Sequence, residues 1–206
     1  GQKGTGRWTV IEAQHLATPI PAIDAAVVAR NLSSQLDKRA QGEALFGAAP
    51  LPITDISLDD LEGALIAGKI ICYAQGFEMM RKASEQFGWT LPLPDIARVW
   101  REGCIIRSKM LNDMADALTN DADRNLMFAP FFAGLLRANH DALRRVVAAA
   151  AIGGVAMPAL SSGLAYFDAM RTARGTANMI QGQRDFFGAH GFTRVDGGTG
   201  HHGPWG

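Results

Sequence analysis

Cysteine is scarce in this chain, since only Cys72 and Cys104 occur among 206 residues. Both lie in apolar or helical stretches, so we interpret them as small buried hydrophobic residues in a reducing cytoplasm, not as a disulfide. No run of about 18 uncharged apolar residues is present, which argues against a membrane-spanning helix. Residues 1–7 carry charge with no apolar segment behind it, which argues against a secretory signal peptide.

An excess of either charge is also missing, because 20 Lys and Arg residues balance 20 Asp and Glu residues. A nucleic-acid arm or a basic membrane surface needs a local cationic excess, so we expect neither partner. Zero net charge removes the repulsion that helps keep copies of a protein apart, which favours self-association. The chain opens in a Gly-rich motif without an initiator Met, so we expect a fragment of a longer protein.

Strand-like alternation is nearly absent, and apolar residues recur with the period of a helix. Long helices are predicted at 58–87, at about 127–151 and from residue 158, with shorter helices at 23–36, 94–100 and 113–118. The longest begins after Ser57, a good N-cap, and ends at Gly88. Its middle, 64–74, is apolar nearly all round, which predicts that other helices enclose it. The sequence therefore predicts an all-α fold.

The last segment, 191–206, differs in character from the rest of the chain. It contains six glycines and Pro204, so it cannot form a stable helix. Phe192 and Trp205 are unusual in a solvated tail and suggest that the segment docks on another surface.

Two groups near the N-terminus could bind an anion. Lys3 and Thr5 lie between glycines, which let backbone N–H groups approach an anion closely, although a flexible linker explains the same residues. Arg30 lies in an apolar helical stretch; it is either a surface arginine or a guanidinium directed at phosphate or carboxylate.

A third candidate group lies near the end of the last predicted helix. Arg184 and His190 are six residues apart, so they share a side only if Gly188 ends the helix and turns His190 around. Taken alone, this pair is more often structural than functional. His201 and His202 have no Cys, Asp or Glu beside them, so no metal site is predicted.

Motifs for catalysis are missing from the chain. The paired carboxylates at 59–60 and at 121 and 123 lie at helix ends or in polar loops, where they serve as caps. No nucleophile motif occurs, and no Gly-x-Gly-x-x-Gly lies between a strand and a helix. The sequence therefore predicts no catalytic residue and no dinucleotide-binding fold in these 206 residues.

Several segments, read together, resemble the C-terminal half of the decarboxylating 6-phosphogluconate dehydrogenase family. They are 1–9 (GQKGTGKWT in the family), 29–39 (ARxLSSxKDxR), 72–77 (SYAQGF), 100–108 (WRxGCIIRS), 183–190 (QRDYFGAH), and the tail at 194–196 (RxD) and 202–205 (HTxW). Because these motifs occur in order over nearly the whole chain, it is identified as a member of that family.

The resemblance implies an activity and a set of substrate-binding residues. The family oxidises 6-phosphogluconate with NADP and releases CO2, giving ribulose 5-phosphate and NADPH in the pentose phosphate pathway. Lys3 and Thr5 match positions that contact the substrate phosphate, and Arg30 matches a phosphate-binding arginine. Arg184 and His190 match a pair that reaches into the neighbouring subunit's site, Arg184 to the phosphate and His190 to the substrate.

The resemblance also implies an organisation: a helical substrate-binding and dimerisation domain at 1–190, and a tail at 191–206 that docks on the partner of a homodimer. The family's NADP-binding Rossmann domain and its catalytic Lys and Glu precede the motif that begins this chain. We therefore expect these residues alone to be inactive, because the proton-transfer groups lie elsewhere.

The chain departs from the family pattern at two places. Phe186 replaces the usual Tyr, and 175–181 differs from the family's LPAxLIQ; both affect local packing more than substrate contacts. Two alternatives remain open: a non-catalytic all-α dimerisation domain, and a dehydrogenase of a related β-hydroxyacid. Retention of the five substrate-binding residues favours the dehydrogenase of 6-phosphogluconate, since assembly requires none of them.

Overall fold

The computed structural model describes residues 3–48 and 50–205; the first two residues of the 1–9 motif, Ala49 and the last residue of the tail lie outside the described residues. Within that part the fold is helical, apart from one isolated bridge between Phe192 and His201, so the all-α prediction is confirmed. The helices are α1 (Thr5–His15), α2 (Pro21–Ser33), α3 (Leu36–Phe46), α4 (Leu58–Phe87), α5 (Leu93–Gly103), α6 (Met110–Asn120), a 3₁₀ turn (Leu126–Phe128), α7 (Pro130–Ile152), α8 (Pro158–Met170) and α9 (Ala177–Gly188).

The chain divides into two compact units, Gly1–Tyr166 and Phe167–Gly206. The first unit contains α1 to α7 and most of α8, and the second contains α9 and the tail. The division into a domain at 1–190 and a tail at 191–206 stays a prediction. None of the helices in the described residues is both long and apolar enough to cross a membrane.

The ends of α4 are fixed as the sequence predicts. Ser57 Oγ accepts a hydrogen bond from the Asp60 N–H at 3.0 Å, and the Asp60 carboxylate accepts one from the Ser57 N–H at 3.2 Å. Arg145 of α7 donates to the same carboxylate at 2.6 and 2.9 Å and lowers the pKa of Asp60. At the other end Gly88 takes the left-handed conformation, with φ of 64°, that favours glycine.

The core of the first unit lies between α4 and α7. A Cβ atom on Gly63 would lie 2.8 Å from the Ala142 Cβ, so the missing side chain permits the close approach of the two helices. Leu65, on another side of α4, is 64% exposed in this chain. The prediction that 64–74 is enclosed all round is therefore wrong on that side. Ile70, Ile71, Phe132 and Leu143 are among the fully buried side chains of this core.

Two segments that resemble family motifs, 72–77 and 100–108, pack against each other. The Tyr73 hydroxyl donates to the Ile106 carbonyl, and the rings of Phe77 and Trp100 lie 5.4 Å apart. Cys72 and Cys104 are free and half-buried, and burial raises the pKa of the Cys72 thiol. They form no disulfide, whereas the prediction that both are buried is correct only in part.

Apolar periodicity does not predict two of the helices, α1 and α3. α3 has no buried residue, as expected for a helix without an apolar stripe. The helix predicted at 23–36 corresponds to α2 and ends at Ser33, before α3 begins. α1 begins inside the Gly-rich segment, whose glycines read as a loop. The helix predicted at about 127–151 begins at Pro130, after the 3₁₀ turn.

Candidate functional site

The Gly-rich segment at the N-terminus leads directly into a helix. Gly4 lies before the first turn of α1 with φ of 97°, a conformation that side chains disfavour. The Trp8 N–H donates to the Gly4 carbonyl at 2.9 Å, which starts the helical hydrogen-bond pattern at Thr5. The first N–H groups of α1 therefore have no acceptor within the helix, and the positive end of its dipole lies beside Lys3.

α1 and α2 pack closely at this end. A Cβ atom on Gly6 would lie 3.0 Å from Val27 Cγ2, so glycine at this position keeps the two helices near each other. The turn between the helices passes through Ala17, whose φ is 49°. α2 then begins at Pro21, whose fixed φ suits the first turn of a helix.

A cavity of about 380 Å³ opens between the start of α1 and one face of α2. It brings together Lys3, Thr5 and Arg30, three of the residues predicted from the sequence to bind substrate. Apolar groups of α2 line the other side, and no acidic residue is among the described residues that line the cavity. Positive charge, a hydroxyl and a helix N-terminus therefore converge on one space, an arrangement that suits an anion.

Arg7 also lines this cavity, and sequence reasoning did not assign it a role. It lies in the first turn of α1, two residues after Thr5, so the helix carries it to the same opening. A prediction of α1 as a helix would have pointed to Arg7, because a residue in the first turn lies close to the N-terminal N–H groups.

Arg184 and His190 lie in the second compact unit. Arg184 is exposed on α9, and its Nη1 donates to Gln181 Oε1 at 3.1 Å. Gln181 Nε2 in turn donates to the Gly191 carbonyl at 2.6 Å, so the same glutamine contacts both the arginine and the start of the tail. The Arg184 guanidinium is thereby oriented on the helix surface, with donors still accessible to solvent.

Asp185 attaches the tail to α9. It is 2% exposed, and its Oδ1 accepts from the Gly191 N–H at 2.8 Å and lies 2.7 Å from His202 Nδ1. Its Oδ2 accepts from the Gly203 N–H at 2.8 Å and from Trp205 Nε1 at 2.6 Å. Burial raises the pKa of this carboxyl, but these four hydrogen bonds outweigh it and hold the pKa well below its usual value. The buried carboxylate is therefore ionised at neutral pH.

α9 ends at Gly188, and the chain turns there as the sequence predicts. The left-handed residue that makes the turn is Ala189, with φ of 49°, and not the glycine. His190 folds back so that its Nε2 would lie 3.0 Å from a Cβ atom on Gly188. Gly188 thus leaves room for the exposed His190 ring at the end of the helix.

The remaining polar candidates have structural roles. His202 binds Asp185, and among the residues described here no group of three His, Cys, Asp or Glu side chains could hold a metal ion. Asp121 Oδ1 accepts from the N–H groups of Asp123 and Arg124, which makes it a loop cap as predicted.

The chain is similar in sequence to 6-phosphogluconate dehydrogenases. The family model for the C-terminal domain of 6-phosphogluconate dehydrogenase matches residues 1–205. "6-Phosphogluconate dehydrogenase, decarboxylating 2" of Saccharomyces cerevisiae is 45% identical over 198 residues, which cover 93% of this chain and 40% of that protein. The decarboxylating enzyme of Haemophilus influenzae is 42% identical over 202 residues, covering 95% and 41%.

A solved structure agrees with these sequence relatives. The 6-phosphogluconate dehydrogenase of Plasmodium falciparum, described in its apo form, with its cofactor NADP+ and with its substrate 6-phosphogluconate, superposes with a TM-score of 0.91 at 36% identity. The match covers 100% of this chain and 45% of that one. This chain spans less than half the length of the relatives it matches. A family match from residue 1 to residue 205, with the same fold, shows that the chain belongs to the 6-phosphogluconate dehydrogenase family and corresponds to its C-terminal domain.

Proposed function

We propose that this chain is the substrate-binding and dimerisation domain of a decarboxylating 6-phosphogluconate dehydrogenase. The cavity between α1 and α2 supports this proposal most directly, because Lys3, Thr5, Arg7 and Arg30 line it without an acidic neighbour. A phosphate monoester carries close to two negative charges at neutral pH and has several acceptor oxygens. The cavity therefore suits the phosphate end of 6-phosphogluconate.

The energetics of such a site favour a phosphorylated ligand. Each charge-assisted hydrogen bond contributes about 1.5–3 kcal/mol, so two or three of them discriminate strongly against an uncharged analogue. Binding the phosphate also orients the rest of the substrate for oxidation and loss of CO2.

We propose that Arg184 and His190 complete the site of a second subunit in a homodimer, Arg184 at the phosphate and His190 at the substrate. Their exposure on the second unit supports this role, because a residue that serves a neighbouring subunit must be accessible in the isolated chain. Phe187 is 80% exposed on the same helix and would be covered by such a partner. The tail at 191–206 would dock on that partner together with α9.

NADP is the expected oxidant of the full-length protein, and the P. falciparum relative is described with it. The described residues of this chain contain no strand followed by a Gly-rich turn and a helix, so they do not fit a dinucleotide. We therefore assign NADP and the proton-transfer groups to sequence outside this chain and derive no step from NADP here. The 206 residues alone would bind substrate without turnover, and the full enzyme would act in the cytoplasm.

Calorimetric titration of the full-length protein with 6-phosphogluconate and with gluconate tests the proposal. The phosphorylated ligand is expected to bind at least about 100-fold more tightly, from two or more charge-assisted contacts. Its affinity should also fall as salt is raised, because the contacts are ionic. Equal affinities, or no binding of either ligand, would reject the phosphate site and favour a non-catalytic assembly domain.

A further inference from the structure

Gln75 is a polar side chain in the middle of the apolar helix α4. It is 0% exposed, and its Oε1 accepts a hydrogen bond from the Ala22 N–H at 3.1 Å. Its Nε2 is buried and has no hydrogen-bond acceptor among the described residues. Burying an amide group without a partner is unfavourable, so apolar packing would be better served by Leu or Met. The hydrogen bond to Ala22 is what distinguishes glutamine from these residues.

Ala22 lies in the first turn of α2, where N–H groups lack acceptors within the helix. The N-cap residue of α2 is Ile20, which has no side-chain oxygen, and Pro21 has no N–H. Ala22 is 1% exposed, so solvent cannot serve as its acceptor. Gln75 therefore supplies, from a neighbouring helix, the cap that the sequence of α2 itself lacks.

The helix capped in this way carries one wall of the anion cavity. Ala22, Ala26 and Arg30 follow each other at intervals of four residues, so they lie along one side of α2. At 1.5 Å per residue, Arg30 is about 12 Å along the axis from the capped N–H. Val27 of the same helix contacts the site of Gly6 on α1. A shift at the start of α2 would therefore move Arg30 and disturb the packing against α1.

We propose that Gln75 is a positioning residue for the anion cavity: its hydrogen bond to Ala22 fixes the start of α2 and thereby the place of Arg30 beside Lys3 and Thr5. The proposal rests on the proposed function, because it concerns the same phosphate site. Gln75 does not contact the ligand, and its role is exerted through α2. The tolerance of an unpaired Nε2 in the core is consistent with a residue kept for its oxygen.

The test uses steady-state kinetics and calorimetric binding of 6-phosphogluconate on the full-length protein. Gln75→Met keeps the side-chain volume but removes the acceptor, and is expected to raise KM and Kd about 5- to 20-fold with kcat within about twofold. Gln75→Asn keeps the amide but withdraws its oxygen by one methylene, and is expected to act in the same direction. Gln75→Glu keeps an oxygen at the Oε1 position, and burial favours its neutral acid form, so it is expected to hold KM within about threefold of the unchanged protein.

Leu118→Ala provides the control for a purely structural effect. Leu118 is a buried residue of α6, and its truncation is expected to lower the thermal midpoint without raising KM. The proposal is overturned if Gln75→Met leaves KM unchanged. It is also overturned if either Leu118→Ala or Gln75→Glu raises KM as much as Gln75→Met does. Failure of the unchanged protein to prefer 6-phosphogluconate over gluconate would instead reject the proposed function.

Discussion

The two groups of proposed substrate-binding residues are held in place by different means. Arg7 and Arg30 lie on α1 and α2, and Lys3 lies just before α1. The relative position of the two helices depends on their packing and on the close approach at Gly6. Arg184 and His190 belong to a unit in which the buried carboxylate of Asp185 gathers the tail against α9. A cation of the first group can therefore be removed without loss of the fold, whereas the order of the tail in the second depends on the single side chain of Asp185.

The two groups differ because many weak contacts position the first, whereas a few hydrogen bonds position the second. Packing between helices is spread over many apolar atoms, each of which contributes little. The tail has few buried apolar groups, so four hydrogen bonds to Asp185 replace a core. A carboxylate accepts several hydrogen bonds at once, so one side chain can hold several residues of a Gly-rich segment that has no regular structure.

The largest effect is expected from Asp185→Ala, which removes all four hydrogen bonds to the tail together. Limited proteolysis of the full-length protein should cleave 191–205 at least about 100-fold faster, since these bonds close the tail onto α9. Asp196→Ala is the matched control, because this tail carboxylate is exposed and forms an ion pair with Arg194 at 2.8 Å. It should leave the cleavage rate within about twofold.

A pH series sharpens the same prediction. The folded pKa of Asp185 is lowered, so its contribution to tail attachment is fully present above the ordinary aspartate value of about 4. That contribution decreases below this pH and is lost as pH falls through the lowered folded pKa. Protection that fails already between pH 5 and pH 7 would contradict an ionised Asp185 as the anchor, because the lowered pKa keeps this carboxylate ionised over that range.

Substitutions of one cation in each group are expected to have the next largest effect. Arg30→Ala and Arg184→Ala should each raise KM for 6-phosphogluconate about 10- to 100-fold, from the loss of one charge-assisted contact. Arg174→Ala, an exposed arginine between α8 and α9, serves as the control and should leave KM within about twofold. An unchanged KM in either variant would remove that arginine from the phosphate site.

A smaller effect is expected from Gly188→Ala, which tests how His190 is placed. The new Cβ atom would lie 3.0 Å from His190 Nε2, so the ring must move, and KM should rise about two- to fivefold. Gly182→Ala is the matched control on the same helix, because its Cβ atom would meet nothing within 4 Å. Equal kinetics for the two variants would show that the folded-back position of His190 does not matter.

Most of the helical fold is predictable from local pattern. Ser57 with Asp60 and the glycine at 88 mark the ends of α4, because capping chemistry depends on a few adjacent residues. α3 is not predictable in this way, since it buries nothing and carries no apolar stripe. The same limit applies to α1, whose glycines conceal a helix that packs against α2.

The candidate site is predictable in part. Motif resemblance assigns Lys3, Thr5 and Arg30 to one ligand, and the cavity brings these three together. Arg7 and Gln75 were not predicted, because the first depends on the helix that follows the Gly-rich segment and the second on a contact across 53 residues. The contributions of Arg184 and His190 to a second subunit stay a prediction.

The sequence by itself determined the family, the all-helical class and the residue types available for an anion, because motifs, period and charge are local properties. Only the tertiary structure decided which cations share a cavity, which carboxylate holds the tail, and which buried amide caps α2. These depend on contacts between residues far apart in the chain, and a one-dimensional pattern does not encode the distance between such residues. The zero net charge of the sequence thus conceals a local cationic cavity that folding assembles.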